Sequence, residues 1–251
     1  MAASTDSTPL LAVLIDADNT SPQWAEAIFE EIASLGEASV RRIYGDFSSG
    51  QLKGWSDRLA HYALVPHHSP ANTVGKNASD IALVIDAMDI LHSGRFDGFV
   101  LISSDSDFTR LASRIREQGL DVYGIGQKKT PDAFRKACKR FIFVENLLAS
   151  EAGETETGRG AGRGGTSARK EPPSKAVPLL TAALRSLDEE AEWVALGRLG
   201  QQVVAANPDF DPRTYGSPKL SDLLEKTGHF EVERSGTGLR ARIKPERKKK
   251  G

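Results

Sequence analysis

FVLISSDSDF, residues 99–108, decides how this chain is read. The apolar residues Phe99 to Ile102 form a run too short for a helix and rich in the side chains that suit a strand. Two serines follow, then Asp105 and Asp107, so the run ends on a pair of carboxylates. Ser104 and Asp107 stand at capping-box spacing, which predicts that a helix opens here. A strand passing into a helix through a polar turn is the building unit of a parallel α/β sheet. In such sheets ligands bind beyond the carboxyl ends of the strands.

The same unit recurs outward from this stretch. LLAVLID (10–16), ASVRRIYGD (38–46), YALVPHH (62–68), FDGFVLIS (96–103), LDVYGIG (120–126) and RFIFVEN (140–146) are β-rich runs separated by segments of helical length. The rhythm predicts βαβ units and a mostly parallel sheet between helices. Thr20-Ser21-Pro22 offers a cap with proline in the first turn of a helix. Ser79 to Leu91, SDIALVIDAMDIL, is apolar nearly all round, which predicts a helix packed deep against the sheet.

The chain has 251 residues, 39% of them hydrophobic and 27% charged, an ordinary globular composition. Its one cysteine, Cys138, excludes an intrachain disulfide and a cysteine cluster for zinc or iron–sulfur chemistry. No apolar run has the length of a membrane span and no targeting signal is visible, so the expected location is cytoplasmic. The net charge of −1 conceals an asymmetry: residues 1–150 carry −4, residues 151–171 carry 0, and residues 172–251 carry +3. An acidic front and a basic back predict two modules, the second better suited to a polyanion.

Composition also places the division. Residues 151–174, EAGETETGRGAGRGGTSARKEPPS, have no apolar periodicity and predict a flexible Gly/Arg-rich linker. The domain before it spans residues 8–150. After it, three helical patterns (Lys175 to Leu187, Trp193 to Ala206, Ser217 to Lys226) precede a hairpin pattern, FEVERSGTGLRARI, which together predict a winged helix over residues 175–245. KPERKKKG closes the chain, and residues 246–251 form a basic tail.

Three acidic clusters fall near the predicted carboxyl edge: Asp16 and Asp18 after the first strand, Asp80 at the start of the apolar helix, and Asp105 with Asp107. If the first and fourth strands are neighbours, these carboxylates converge, and their repulsion calls for a divalent cation. The donors are all oxygen, so the metal would be hard, Mg2+ or Mn2+, and the chemistry that of phosphodiesters. Asp also caps helices and forms turns, which fits Asp18, Asp80 and Asp107; Asp16 and Asp105 have no such structural use. Asp86, inside the apolar helix, needs a partner, whereas Asp89 fits a wet edge. Of His67 and His68, at most one can face the acids, because adjacent strand residues point oppositely. Lys76 precedes the helix, either as a phosphate contact or as a plain loop lysine.

LIDADNT (14–20), GKNASDIALVIDAMD (75–89) and FVLISSDSDFTRLASRIREQGLDVYGIG (99–126) resemble, in order and spacing, the three motifs of the NYN domain, a PIN-like nuclease family that includes LabA-like proteins. The resemblance runs from about Leu10 to Leu148. It implies a PIN-like α/β/α fold, a magnesium- or manganese-dependent site and ribonuclease activity. By motif, Asp16, Asp80, Asp105 and Asp107 would be the catalytic, metal-holding acids, with Asn19 in support. The segment after the linker resembles the LOTUS or OST-type winged helix, above all in FDPRTYGSPKLSDLLEKTGHFEVE (210–233), and implies RNA as the partner. There Arg213, Lys219, Arg234, Arg240 and Arg242 are candidate phosphate contacts and Tyr215 a candidate base-stacking residue; Tyr215 equally fits a core position. Two rival readings stand beside the single-strand-cleaving ribonuclease. One is an RNA-binding regulator without catalysis. The other is a haloacid-dehalogenase-like phosphatase, because Asp16-x-Asp18-x-Thr20 also fits that family's nucleophile motif.

Overall fold

The computed structural model describes residues 8–48, 50–68, 78–148, 170–187, 193–236 and 238–245. It divides into two compact units, with the division at Glu151.

The first unit holds a six-stranded, all-parallel sheet. Its strands are β1 (Leu10–Asp16), β2 (Glu37–Gly45), β3 (Val65–His68), β4 (Gly98–Ile102), β5 (Asp121–Gly126) and β6 (Arg140–Phe143). Spatially they run β3-β2-β1-β4-β5-β6, so β1 and β4 are the central neighbours on which the convergence of the acids depends. Both are apolar along their length because helices cover both faces of the sheet. Alternate residues serve the two layers. Leu11, Val13 and Ile15 pack under α1 (Ala25–Leu35) and around Trp55 of the short α2 (Lys53–Ser56). Ala12 and Leu14 pack under α3 (Ala78–His92), α4 (Thr109–Glu117) and α5 (Asp132–Ala137). The result is the expected helix–sheet–helix sandwich.

Two local expectations need correction. First, α3 is buried on one face only, through Leu83, Ala87, Ile90 and Leu91, while Ile81 and Ile85 are 60% and 56% exposed. An apolar composition all round cannot show which side meets the sheet. Second, Ser104 does not cap the helix after β4. Asp105 does so, its carboxylate accepting from Asp107 N at 3.0 Å, while Ser104 Oγ accepts from Gln127 N at 2.9 Å. The Ser21-Pro22 start is as expected, with Ser21 Oγ accepting from Gln23 N.

The second unit packs α6 (Val177–Leu187), α7 (Leu196–Ala206) and α8 (Leu220–Thr227) on a three-stranded antiparallel sheet. The expected hairpin is β8 (Phe230–Ser235) with β9 (Gly238–Ile243). Composition gave no sign of the third strand, β7 (Val194–Ala195), a two-residue pairing on the far side of β9. Residues 170–174, counted in the linker by composition, belong to this unit: Glu171 N donates to Thr214 O, and Pro173–Ala176 form a 3-10 turn. The rest of the expected linker, the basic tail and Lys76 lie outside the described residues.

Close packing across β5 and β6 depends on Gly124. A Cβ there would stand 2.5 Å from the Phe141 ring and 2.8 Å from Cys138 Sγ. Gly124→Ala should therefore destabilise the first unit by about 1–3 kcal/mol, measured by denaturant unfolding; an unchanged midpoint would show that the ring moves aside freely.

Candidate functional site

The carboxyl ends of β1 and β4 present their last side chains on the same face of the sheet. Asp16 continues the alternation of Ala12 and Leu14, and Ser103 that of Phe99 and Leu101. Their juxtaposition yields a 2.6 Å hydrogen bond in which Ser103 Oγ donates to Asp16 Oδ2. The same hydroxyl accepts from Asp105 N at 3.0 Å, so one serine fixes the acid of β1 and the turn carrying the acids after β4. Asn19 completes the hold on Asp16, donating through its backbone N at 3.2 Å and its side-chain Nδ2 at 2.8 Å. The structure thus assigns Asn19 to orienting Asp16. Asp16 is 1% exposed, and burial raises its pKa against the lowering influence of Ser103 and Asn19.

Asp80 lies in the first turn of α3. Burial first, then the charges of Asp16, Asp105, Asp18 and Asp107, raise its pKa from the ordinary 3.8 to about 6. The three other acids expected at the site therefore all act on Asp80. Asp18, which the sequence places at this edge and which also fits a turn, joins them: Ser79 Oγ donates to it at 3.2 Å, tying the loop after β1 to the start of α3. Asp46 was missed altogether. It follows β2, next to β1 in the sheet, and accepts from Ser48 N at 2.9 Å. Its only sequence signal was its place at a strand end, shared with many turn residues.

Asp86 and the histidines form a different cluster. Asp86 Oδ2 accepts from Arg42 Nη1 and Tyr44 Oη, each at 2.8 Å, with His67 Nδ1 at 3.2 Å. These are the partners a half-buried aspartate requires, and the Tyr44 hydroxyl is held protonated by burial and by Asp86. His68 instead accepts from Phe47 N at 3.3 Å.

Glycines allow close packing at the carboxyl edge. A Cβ on Gly126 would stand 2.5 Å from the carbonyl oxygen of Ser103, and one on Gly45 would stand 3.4 Å from Asp18 Oδ1 and 2.5 Å from Leu52. A hard divalent cation fits this donor set: the donors are carboxylates, and a cation would relieve the repulsion that adds to burial in raising Asp80. Among the described residues, no three of them are already grouped closely enough to hold an ion.

In the second unit the candidate RNA contacts separate. Arg213 is committed to Asp211, its Nε at 2.9 Å and Nη2 at 2.7 Å from Oδ2. Tyr215 is partly buried against the core beside Phe210, ring centroids 5.9 Å apart, and burial pushes its hydroxyl up to about 12. Arg240 and Arg242 pair across the hairpin with Glu233 and Glu231, and both guanidinium groups lie over Trp193, at 4.9 and 4.5 Å. Lys219 and Arg234 are exposed and carry no carboxylate partner among the described residues.

The sequence profile of the NYN domain matches residues 10–147, and that of the OST-HTH/LOTUS domain matches residues 171–240. No curated protein matches the chain. Among solved structures, it is similar to a Vibrio parahaemolyticus protein of unknown function, with 20% identity over 55% of this chain and 94% of that one and a TM-score of 0.46. It is also similar to an uncharacterised Nitrosomonas europaea protein, with 30% identity over 38% of this chain and 92% of that one and a TM-score of 0.26. No helix among the described residues is long and apolar enough to cross a membrane.

Two measurements check the site as built. In metal-free protein the Asp80 carboxyl should titrate near 6 by NMR, and Asp105→Asn should lower that midpoint. Because the folded pKa is the higher one, wild type loses stability as pH rises from 3.8 through about 6. Asp80→Asn should therefore raise the melting temperature at about pH 8 and give no gain at about pH 4. Ser103→Ala removes both bonds of the bridging hydroxyl and should cost about 1–3 kcal/mol, read by denaturant unfolding.

Proposed function

The chain belongs to the NYN-domain family, part of the PIN-like nuclease superfamily, and carries an OST-HTH/LOTUS domain behind it; on that premise we propose that it is a metal-dependent ribonuclease that cleaves single-stranded RNA and holds it through the second domain. The observation that supports this most is the coupling of Asp80, on α3, to carboxylates from the ends of β1 and β4. Concentrated charge of one sign destabilises the metal-free fold at Asp80, whose carboxyl it helps to raise. Asp16, Asp80, Asp105 and Asp107 would hold Mg2+ or Mn2+, which when bound polarises a phosphoryl oxygen and lowers the pKa of a water. Ser103 and Asn19 hold the Asp16 carboxylate in one orientation before any ligand arrives. In the second domain, Lys219 and Arg234 are the exposed cations that suit phosphates.

One observation favours a second reading, RNA binding without cleavage: the described carboxylates are not grouped as an ion cage. The phosphatase reading does not fit. The motif that suggested it, Asp16-x-Asp18-x-Thr20, lies within the stretch matched by the NYN domain.

Labelled single-stranded RNA should be cleaved by the wild type with Mn2+ or Mg2+ and left intact with chelator, while Asp105→Asn should reduce the rate about 100-fold or more. Binding by both proteins with no cleavage under either metal would establish the second reading. Deleting residues 172–251 should weaken RNA binding in a titration while leaving the Asp80 midpoint in place.

A further inference from the structure

The positive charges of the first unit are distributed unevenly. Most are already engaged: Arg42 pairs with Asp86, Lys139 with Asp121, Arg140 with Glu31, Arg114 with Glu117, and Arg135 and Lys136 with Asp132. Arg41, Arg58 and Arg116 donate to backbone carbonyls, and Arg95 lies over the Phe96 ring. Among the described residues of this unit, the four cations with none of these engagements are Lys53, Arg110, Lys128 and Lys129.

All four belong to the carboxyl edge. Lys53 opens α2, the helix after β2, whose Trp55 Nε1 donates to Thr20 O in the loop after β1. Arg110 lies in the first turn of α4, just beyond Asp107. Lys128 and Lys129 lie in the loop after β5, which is pinned beside the acids: Gln127 N donates to Ser104 Oγ at 2.9 Å, Lys128 N donates to Glu145 at 3.0 Å, and Thr130 N closes on Gln127 O. In sheet order the acids end β1 and β4, while the cations follow β2 on one side and β4 and β5 on the other. Strands β2 and β5 are three strand spacings apart, about 14 Å.

We propose that Lys53, Arg110, Lys128 and Lys129 form a rim that binds the backbone phosphates of the RNA on either side of the carboxylate cluster. The inference rests on the ribonuclease reading and adds to it the residues by which the acidic domain itself holds a polyanion. An acidic centre repels the scissile strand, and cations left without carboxylate partners supply attraction at its flanks. Phosphates are the ligand that the chemistry of these side chains selects, since a lysine is a point charge with no base-reading geometry.

The test measures binding of a fluorescent single-stranded oligouridylate to the full chain, in chelator, as a function of salt. Removing one cation that neutralises a phosphate should lower the slope of log K against log salt by about 0.7. Lys128→Ala with Lys129→Ala should lower it by about 1.4, Lys53→Ala and Arg110→Ala by about 0.7 each, and Arg95→Ala not at all. With metal present, the rim variants should raise KM and leave kcat unchanged. Unchanged slopes in the rim variants, or an equal loss in Arg95→Ala, would overturn the rim. A wild type that shows these slopes and never cleaves would retire the ribonuclease reading and leave the rim standing.

Discussion

The hydroxyl of Ser103 donates to Asp16 at 2.6 Å and accepts from Asp105 N at 3.0 Å, and the carboxyl edge is organised around that bridge. It exists because β1 and β4 pair in parallel, Leu11 opposite Gly98 through Ile15 opposite Ile102, so that both strands end at the same level. Between them the strand order reverses direction, with β2 and β3 on one side and β5 and β6 on the other. Connections leave a sheet in opposite directions at such a point, and a crevice opens there. The acids of β1 and β4 stand at that switch point because both strands end there, and Asp80, in the first turn of α3, is close enough to feel their charge.

Electrostatics then sets the division of labour within the first unit. Burial first, and then the neighbouring carboxylates at the centre, lift Asp80 to about 6. Among the described residues, the cations along the remaining surface are committed to ion pairs, backbone carbonyls or an aromatic face, while Lys53, Arg110, Lys128 and Lys129 at the carboxyl edge are not. A negative centre with a positive border suits a ligand with negative charge along its length and positive charge delivered separately to its middle.

Much of this was legible in the sequence, and the exceptions have physical reasons. The six strands were readable because a parallel sheet covered on both faces demands short, wholly apolar runs, as in LLAVLID and GFVLI. Asp16 and Asp105 were readable because each ends such a run. Asp18 was readable as an acid at that edge but not as a partner of Ser79, since a turn aspartate looks the same whether or not it faces a site. The bridging role of Ser103 depends on a pairing between residues 87 apart, which no local pattern records. In the second unit the arginines of β9 looked free, yet cross-strand glutamates sit opposite them in the register and Trp193 lies beneath. Tyr215 lies partly buried beside Phe210, a contact no local pattern records.

The central claim is that carboxylates from β1, α3 and β4 act as one cation-binding unit. Calorimetric titration of Mn2+ into the wild type and into Asp16→Asn, Asp80→Asn, Asp105→Asn and Asp86→Asn tests it directly. Saturable binding in the wild type and in Asp86→Asn, abolished in each of the other three, is the predicted result. Binding that survives the loss of any one of those three acids, or none in the wild type, would contradict it.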